Sequence, residues 1–325
     1  MLSWLRKLVF SIILVLVVVG GSRSAVAESW PQRTVRIVVP FSAGSAIDVA
    51  ARIIGDGLTR RWGQSVVIEN KPGGETIIGT SAFVSARDQH ALLYTTFGTL
   101  SVLPLTVDSL PFNPQTDLVP LVPTVSVVVA VSVTNSLGVS TLSDLEALIR
   151  SRPGEFAWAS SPTLPRYVFT MFLKQRGLEM SYVGYRDASQ PQADLGEGRI
   201  HAFVAAIPTS TPAVAAGKAR FVATTEPQRT TILPEVPSAA EAGYDELSFV
   251  GGAGMFVGND MPASIRERVI ADVNAVLSDA VISGKLKAAG QQVIGGGPEV
   301  LRRLVEQQAA RVVEISKSID LKSIR

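Results

Sequence analysis

Residues 34–52, TVRIVVPFSAGSAIDVAAR, constrain the fold more than any other stretch of the chain. Val35-Arg36-Ile37-Val38-Val39 reads as a buried strand stopped at Pro40. Phe41-Ser42-Ala43-Gly44-Ser45 is a loop of small residues, and a helix opens near Ala46 with Asp48 in its first turn. β-Branched residues in the strand and small ones in the turn are how a strand hands over to a helix in an α/β unit. Such a turn aims backbone N–H groups and the positive end of a helix at one point in space. An anion, most simply a carboxylate, is the natural ligand there. An ordinary strand–helix turn has the same local pattern, so the remainder of the chain must decide.

The unit recurs. The helix continues to Trp62 and ends at Gly63, Ser65–Glu69 is a second strand, and Asn70-Lys71-Pro72-Gly73-Gly74-Glu75 is a turn-rich loop before a helix around Ile78–Ala86. Ala91–Thr96 is a third strand, closed by Phe97-Gly98-Thr99. In open α/β sheets ligands bind at the carboxyl ends of the strands, where these loops lie. Pro104, Pro111, Pro114, Pro120 and Pro123 then crowd one stretch, which predicts an extended crossing segment. Val125–Val133 reads as one long strand passing into a second domain, and a helix over Thr141–Arg150 is capped at Ser140 or Thr141.

Glu155–Ser160 begins the pattern again, with the loop Ser161–Pro165, a helix Arg166–Arg176, a strand Met180–Tyr185, the loop Arg186–Ser189 and a strand Arg199–Ala205. Ala219–Thr225 is one more strand, and a short helix over Ser238–Ala242 follows. Phe249–Val257 is a glycine-loosened strand suited to crossing back, and Pro262–Leu277, Ser278–Ala289 and Pro298–Ser316 are helical. Two crossings predict an α/β chain with a discontinuous domain 1 (28–124 and 226–325) and a domain 2 (125–225). Two lobes joined by two strands make a hinge with a cleft.

The first 27 residues stand apart from this fold. Arg6 and Lys7 precede an unbroken apolar run, Leu8–Val19, and Ala25-Val26-Ala27 has the small-residue pattern of a cleavage site. That is a secretory signal peptide; the run, about 12 residues long, falls short of the roughly 20 that span a bilayer. Removing Arg6, Lys7 and Arg23 from 30 basic residues leaves 27 against 28 acidic. A nearly neutral chain without a basic stripe argues against nucleic acid. The chain has no cysteine, which excludes disulfides, thiolate nucleophiles, cysteine-ligated metals and a lipoprotein anchor.

Val39-Pro40-Phe41-Ser42-Ala43-Gly44-Ser45-Ala46-Ile47-Asp48-Val49-Ala50-Ala51-Arg52 resembles the opening V-P-F-x-A-G-G-x-x-D-x-x-A-R of the periplasmic receptors of tripartite tricarboxylate transporters, the Bug family. Gly63-Gln64, Val66–Gly74, Leu110-Pro111-Phe112-Asn113-Pro114, Gly217–Arg220, Leu233–Ser238 and Glu241-Ala242-Gly243 are similar to further marks of that family, in order and spacing. The resemblance implies a two-lobed, type II periplasmic-binding fold that closes on a small carboxylate and serves membrane permease subunits as a monomer, without a cofactor. It implies first-lobe contacts from Phe41, Ser42, Ala43, Gly44, Ser45 and Asp48, with Thr96, Phe97 and Thr99 from the loop after the third strand. The second-lobe counterparts are Ser160, Ser161, Thr163 and Tyr185. Ser45 stands where the family has a second glycine, and Ser161–Arg166, Tyr185-Arg186-Asp187, His201 and Ala205 depart from its pattern in the second lobe. The resemblance therefore implies a retained carboxylate anchor in the first lobe and an altered distal pocket.

Asp48 either complements the helix N-terminus or orients loop amides and waters; its sign excludes a salt bridge to an anionic ligand. Arg166 opens a helix where cations are disfavoured, which leaves two readings, a clamp on a second ligand carboxylate or a solvated or structural arginine, and Arg186 has a similar claim. Tyr185 and Phe97 fit pocket wall and core equally well, whereas His201 is expected to be packed. Two histidines, no cysteine, and no nucleophile elbow, Walker A loop or dinucleotide fingerprint leave no catalytic or metal residue to name. Gly251-Gly252-Ala253-Gly254 lacks a following helix and reads as a crossing. Beside transport, a sensory adaptor presenting its ligand to a membrane signalling protein fits the same features, and a periplasmic enzyme is a third reading.

Overall fold

A computed structural model describes residues 30–185 and 190–317. The signal-peptide segment and Arg186 lie outside the described residues. The chain separates into units 1–32 and 33–325; of the first, residues 30–32 carry no helix or strand. The second unit holds all the elements below.

β1 (Val35–Val39), β2 (Val66–Asn70), β3 (Ala91–Thr96), β4 (Leu118–Val127), β10 (Gly252–Gly258) and β11 (Gln291–Val293) form a six-stranded sheet in the order β11-β4-β10-β3-β1-β2. β5 (Val129–Thr134), β6 (Ala157–Ser160), β7 (Ser181–Tyr182), β8 (Ala202–Ala206) and β9 (Ala219–Thr224) form a second sheet in the order β7-β6-β8-β5-β9. In the first, β1 runs parallel to β2 and β3 while β10 is antiparallel to β3 and β4. In the second, β6 runs parallel to β7 and β8 while β5 is antiparallel to β8 and β9. Each lobe is thus a parallel three-stranded unit extended by an antiparallel strand, the duplicated architecture expected from the sequence.

β1 is buried throughout except Arg36, as befits a strand covered on both faces. The helix after it, Ala46–Trp62, starts on a Ser45 cap whose hydroxyl accepts Asp48 N and ends on Gly63 at φ 64°. The helix Leu142–Ser151 opens with a reciprocal Thr141–Asp144 capping box.

Several elements differ from expectation. Val125–Val133 is two strands, broken at Val128, and β4 begins back at Leu118 within the proline-rich stretch. It tolerates Pro120 and Pro123 because its pairing to β10 shifts register at Met255/Phe256 and Ala253/Gly254, opposite them. The residues after Phe97 form two short helices, Gly98–Ser101 and Leu103–Thr106. A helix over Ile207–Ala215 was hidden by Pro208 and Pro212. Residues 239–242 form turns, with Ser238 Oγ accepting Glu241 N.

After β9 the chain stays on the second sheet. Thr224 N and Ala239 N bond the carbonyls of Pro237 and Thr224, and Phe249 N bonds Thr225 O at 2.7 Å. Ala239, Tyr244, Leu247 and Phe249 pack into the cluster around Trp158 and Phe172. The chain therefore rejoins the first sheet only at β10.

Candidate functional site

The carboxyl ends of β1, β3 and β6 face one cleft of about 790 Å³. The two interlobe crossings, at Val127/Val129 and Phe249/Gly251/Gly252, line one part of it.

On the first-lobe side, the loop after β1 is held by Asp48. Its carboxylate accepts Gly44 N at 2.9 Å, Arg52 at 2.9 Å and Asn70 Nδ2 at 2.9 Å. Asn70 Nδ2 also donates to the Phe41 carbonyl at 3.0 Å. Asp48 is 2% exposed; burial works to raise its pKa, but Arg52, Gly44 N–H and Asn70 hold it below the usual carboxylate range. The helix ladder begins at Val49 N→Ser45 O, and Ser45 Oγ takes Asp48 N. The amides of Ala46 and Ile47, both cleft-lining residues, are the remaining first-turn donors of this helix end. Beside them Thr96 Oγ1 is buried and without a hydrogen-bond partner among the described residues.

Opposite, Ser160 Oγ at the end of β6 is also buried, within reach of the Tyr182 hydroxyl. Thr163 leads the helix Leu164–Gln175 from a left-handed backbone, φ 64°, and Arg166 lies in that helix's first turn. The Arg166 guanidinium sits 4.4 Å over the Tyr182 ring. Its side chain is 13% exposed; burial opposes its charge, but Glu75 and Tyr182 raise its pKa.

Of the residues expected at the site, Phe41, Ser42, Ser45, Thr96, Ser160, Ser161, Thr163, Arg166 and Tyr185 line the cleft. Tyr185 does so with its hydroxyl committed to Asp194 at 2.6 Å; burial and that carboxylate push its pKa up. The other five described positions stand back. Ala43 and Gly44 are on the exposed side of their loop, and Asp48 acts from behind it. Phe97 is 1% exposed, turned into the first-lobe core against β10, where a Cβ on Gly252 would lie 2.2 Å from its ring. Thr99 is fully buried, its hydroxyl bonded to Thr95 at 2.7 Å and Thr76 at 3.0 Å. His201 is packed, as expected, edge-on to Phe156 with Nδ1 accepting Ala157 N.

The sequence reading missed Glu75. This residue, at φ 53°, reaches from the first lobe to the second: Oε2 accepts Thr163 N at 2.5 Å and Oε1 accepts Arg166 Nη1 at 2.8 Å. The available signal was an acidic side chain after Gly73-Gly74 in a loop at a strand's carboxyl end. In this structure the partner of the Arg166 guanidinium is Glu75. The lobes also meet where Gly98 faces Thr163, so closely that a Cβ on Gly98 would lie 2.5 Å from Thr163 Oγ1. Among the described residues no group of three or more His, Cys, Asp or Glu is placed to hold a metal, and no helix is long and apolar enough to cross a membrane.

Residues 50–321 match the family described as "Tripartite tricarboxylate transporter family receptor". Protein BugT of Bordetella pertussis is 32% identical over 230 residues, 68% of this chain and 69% of BugT. A UPF0065 protein from the tcbD-tcbE intergenic region of Pseudomonas sp. (strain P51) is 28% identical over 313 residues, 94% of this chain and 92% of that protein. Among solved structures, R. palustris Rpa4515 with adipate gives a TM-score of 0.84 at 30% identity, covering 89% of this chain and 98% of that one.

Proposed function

The chain belongs to the tripartite tricarboxylate transporter receptor family, whose fold is that of periplasmic solute-binding proteins, and we propose that it captures a small carboxylate in the interlobe cleft. The observation that carries this reading is the pair of strand-end rims: the Ala46 and Ile47 amides with the Thr96 hydroxyl on one side, and the Ser160 hydroxyl on the other. A buried hydroxyl without a partner among the described residues, as that of Thr96 is, costs free energy, and a bound carboxylate would supply the missing acceptor. That a 30% identical relative was solved with adipate supports the same ligand class.

In this reading Phe41, Ser42 and Ser45 wall the anchored carboxylate on the first lobe, and Ser160, Ser161, Thr163 and Tyr185 cover its body. Asp48 positions the loop through Gly44 N and Asn70 and does not touch the ligand. The hinge lies at 127–129 and 249–252, where the chain passes between sheets, so lobe 1 comprises 33–127 and 252–317 among the described residues. The protein works as a monomer without a cofactor and performs no chemistry on what it binds. It is exported by cleavage of residues 1–27, acts in the periplasm, and delivers its ligand to membrane permease subunits.

Titration calorimetry of the purified protein against benzoate, hexanoate, adipate and aspartate tests the reading. Saturable binding of at least one is expected. A folded protein that binds none of them, nor any other small carboxylate, overturns it.

A further inference from the structure

We propose that Glu75 occupies the second-lobe carboxylate seat and thereby restricts the cleft to ligands with a single carboxylate and an apolar body. The inference rests on the carboxylate reading of the cleft and narrows it.

Thr163 N and the Arg166 guanidinium together form the donor set that a second ligand carboxylate would be expected to use: a helix-start amide beside a cation. Both are taken, one by each oxygen of Glu75, at 2.5 and 2.8 Å. The chain holds unusual backbone on both sides of this contact. Glu75, Thr76 and Thr163 have φ values of 53°, 80° and 64°, a region that side-chain-bearing residues seldom adopt and that persists only where the surroundings enforce it. Strain of this kind at a ligand cleft points to a placed carboxylate.

Charge gives the same answer. Among the described cleft-lining residues, Glu75 and Arg166 are the only charged side chains, and they neutralise each other. A diacid would therefore bring its second carboxylate beside Glu75 with no cation among the described cleft-lining residues left to meet it, a like-charge contact. What remains to cover the ligand body is apolar: Ile47, Ile78, Leu164, Phe203 and Phe249. The first-lobe donors, by contrast, still lack an acceptor and leave one seat for one carboxylate.

The test is calorimetry on the purified protein with matched pairs, hexanoate against adipate and benzoate against terephthalate. The unmodified protein is expected to bind the monoacid of at least one pair tenfold or more tightly than its diacid. Glu75→Gln keeps the shape but frees the Arg166 charge, and should shift that ratio at least tenfold toward the diacid. Glu75→Gly, which suits the positive φ and guards against misfolding of the first variant, should do the same. Adding Arg166→Gln to Glu75→Gly should abolish the gain. A preference for the diacid in the unmodified protein, or a ratio unmoved in both Glu75 variants, overturns the inference while leaving carboxylate binding intact. Absence of binding by every mono- and diacid to folded protein sinks the carboxylate reading, and this inference with it.

Discussion

Asn70 donates its side-chain amide to Asp48 at 2.9 Å, tying the end of β2 to the first turn of the helix that follows β1. The same nitrogen holds the Phe41 carbonyl, so one amide fixes both sides of the loop that presents the Ala46 and Ile47 donors. Asp48 is the hub, and its carboxylate stays ionised because Arg52, Gly44 N–H and Asn70 outweigh its burial.

Asp48→Ala should therefore act twice. Losing a buried, charge-assisted hub is expected to destabilise the protein by roughly 1–3 kcal/mol, measured by urea denaturation. Arg52 is half exposed, so the stranded cation rehydrates and the loss stays at the lower end. Carboxylate affinity should fall about tenfold, because the loop amides lose their fixed direction. A variant of unchanged stability and affinity would remove Asp48 from the positioning role. Since its pKa is lowered on folding, the stability Asp48 contributes is present above its ordinary pKa and is lost as pH falls below it.

Much of the first lobe is local and so was legible in the sequence. β-Branched residues mark β1, Ser45 and Gly63 bracket the helix Ala46–Trp62, and hydrophobic spacing marks Pro298–Ser316. The shortfalls have a common cause in contacts distant along the chain. Glu75 meets Thr163 and Arg166 across 88 and 91 residues, and no periodicity announces such a pair. Phe97 was read as cleft or core with equal claim, and Gly252, on the returning strand, decides for core. β4 runs through two prolines because β10 shifts register opposite them, a tolerance invisible in β4 alone.

That Phe97–Gly252 contact gives a second prediction. A Cβ at position 252 would stand 2.2 Å from Cε2 of the Phe97 ring, so Gly252→Ala must displace a ring that is 1% exposed. Overpacking of this kind is expected to cost about 1–3 kcal/mol. Phe97→Leu combined with Gly252→Ala should recover part of it, as residues in direct contact are not additive. Denaturation midpoints of the single and double variants measure this, and strict additivity would contradict the contact.

Glu226, which follows Thr225 just beyond β9, supplies a pH dependence. Burial pushes its carboxyl from the ordinary 4.5 up to about 7, and Oε1 has no partner among the described residues. Because the folded protein binds this proton more tightly than the unfolded chain, the contribution is fully present below 4.5 and is lost as pH rises through 7. The loss amounts to no more than about 3 kcal/mol. Melting temperature measured between pH 5 and 8 should fall along this limb, and Glu226→Gln should flatten it. An equal slope in the variant would assign the dependence to other groups.

Thr96→Val separates a binding hydroxyl from a structural one. The Thr96 Oγ1 is buried and has no hydrogen-bond partner among the described residues, so replacing it with a methyl of the same shape removes an unmet polar group. Stability without ligand should hold or rise by about 1 kcal/mol. If that hydroxyl meets the bound carboxylate, affinity must move the other way, by about tenfold, which is a charge-assisted bond of roughly 1.5 kcal/mol. Thr99→Val is the contrast: its hydroxyl bonds Thr95 and Thr76 away from the cleft, so stability should fall while affinity changes far less. Denaturation and calorimetry on the two variants give opposite signs if Thr96 serves the ligand. Matching losses of stability in both would place Thr96 in the framework and leave the first-lobe seat to backbone amides alone.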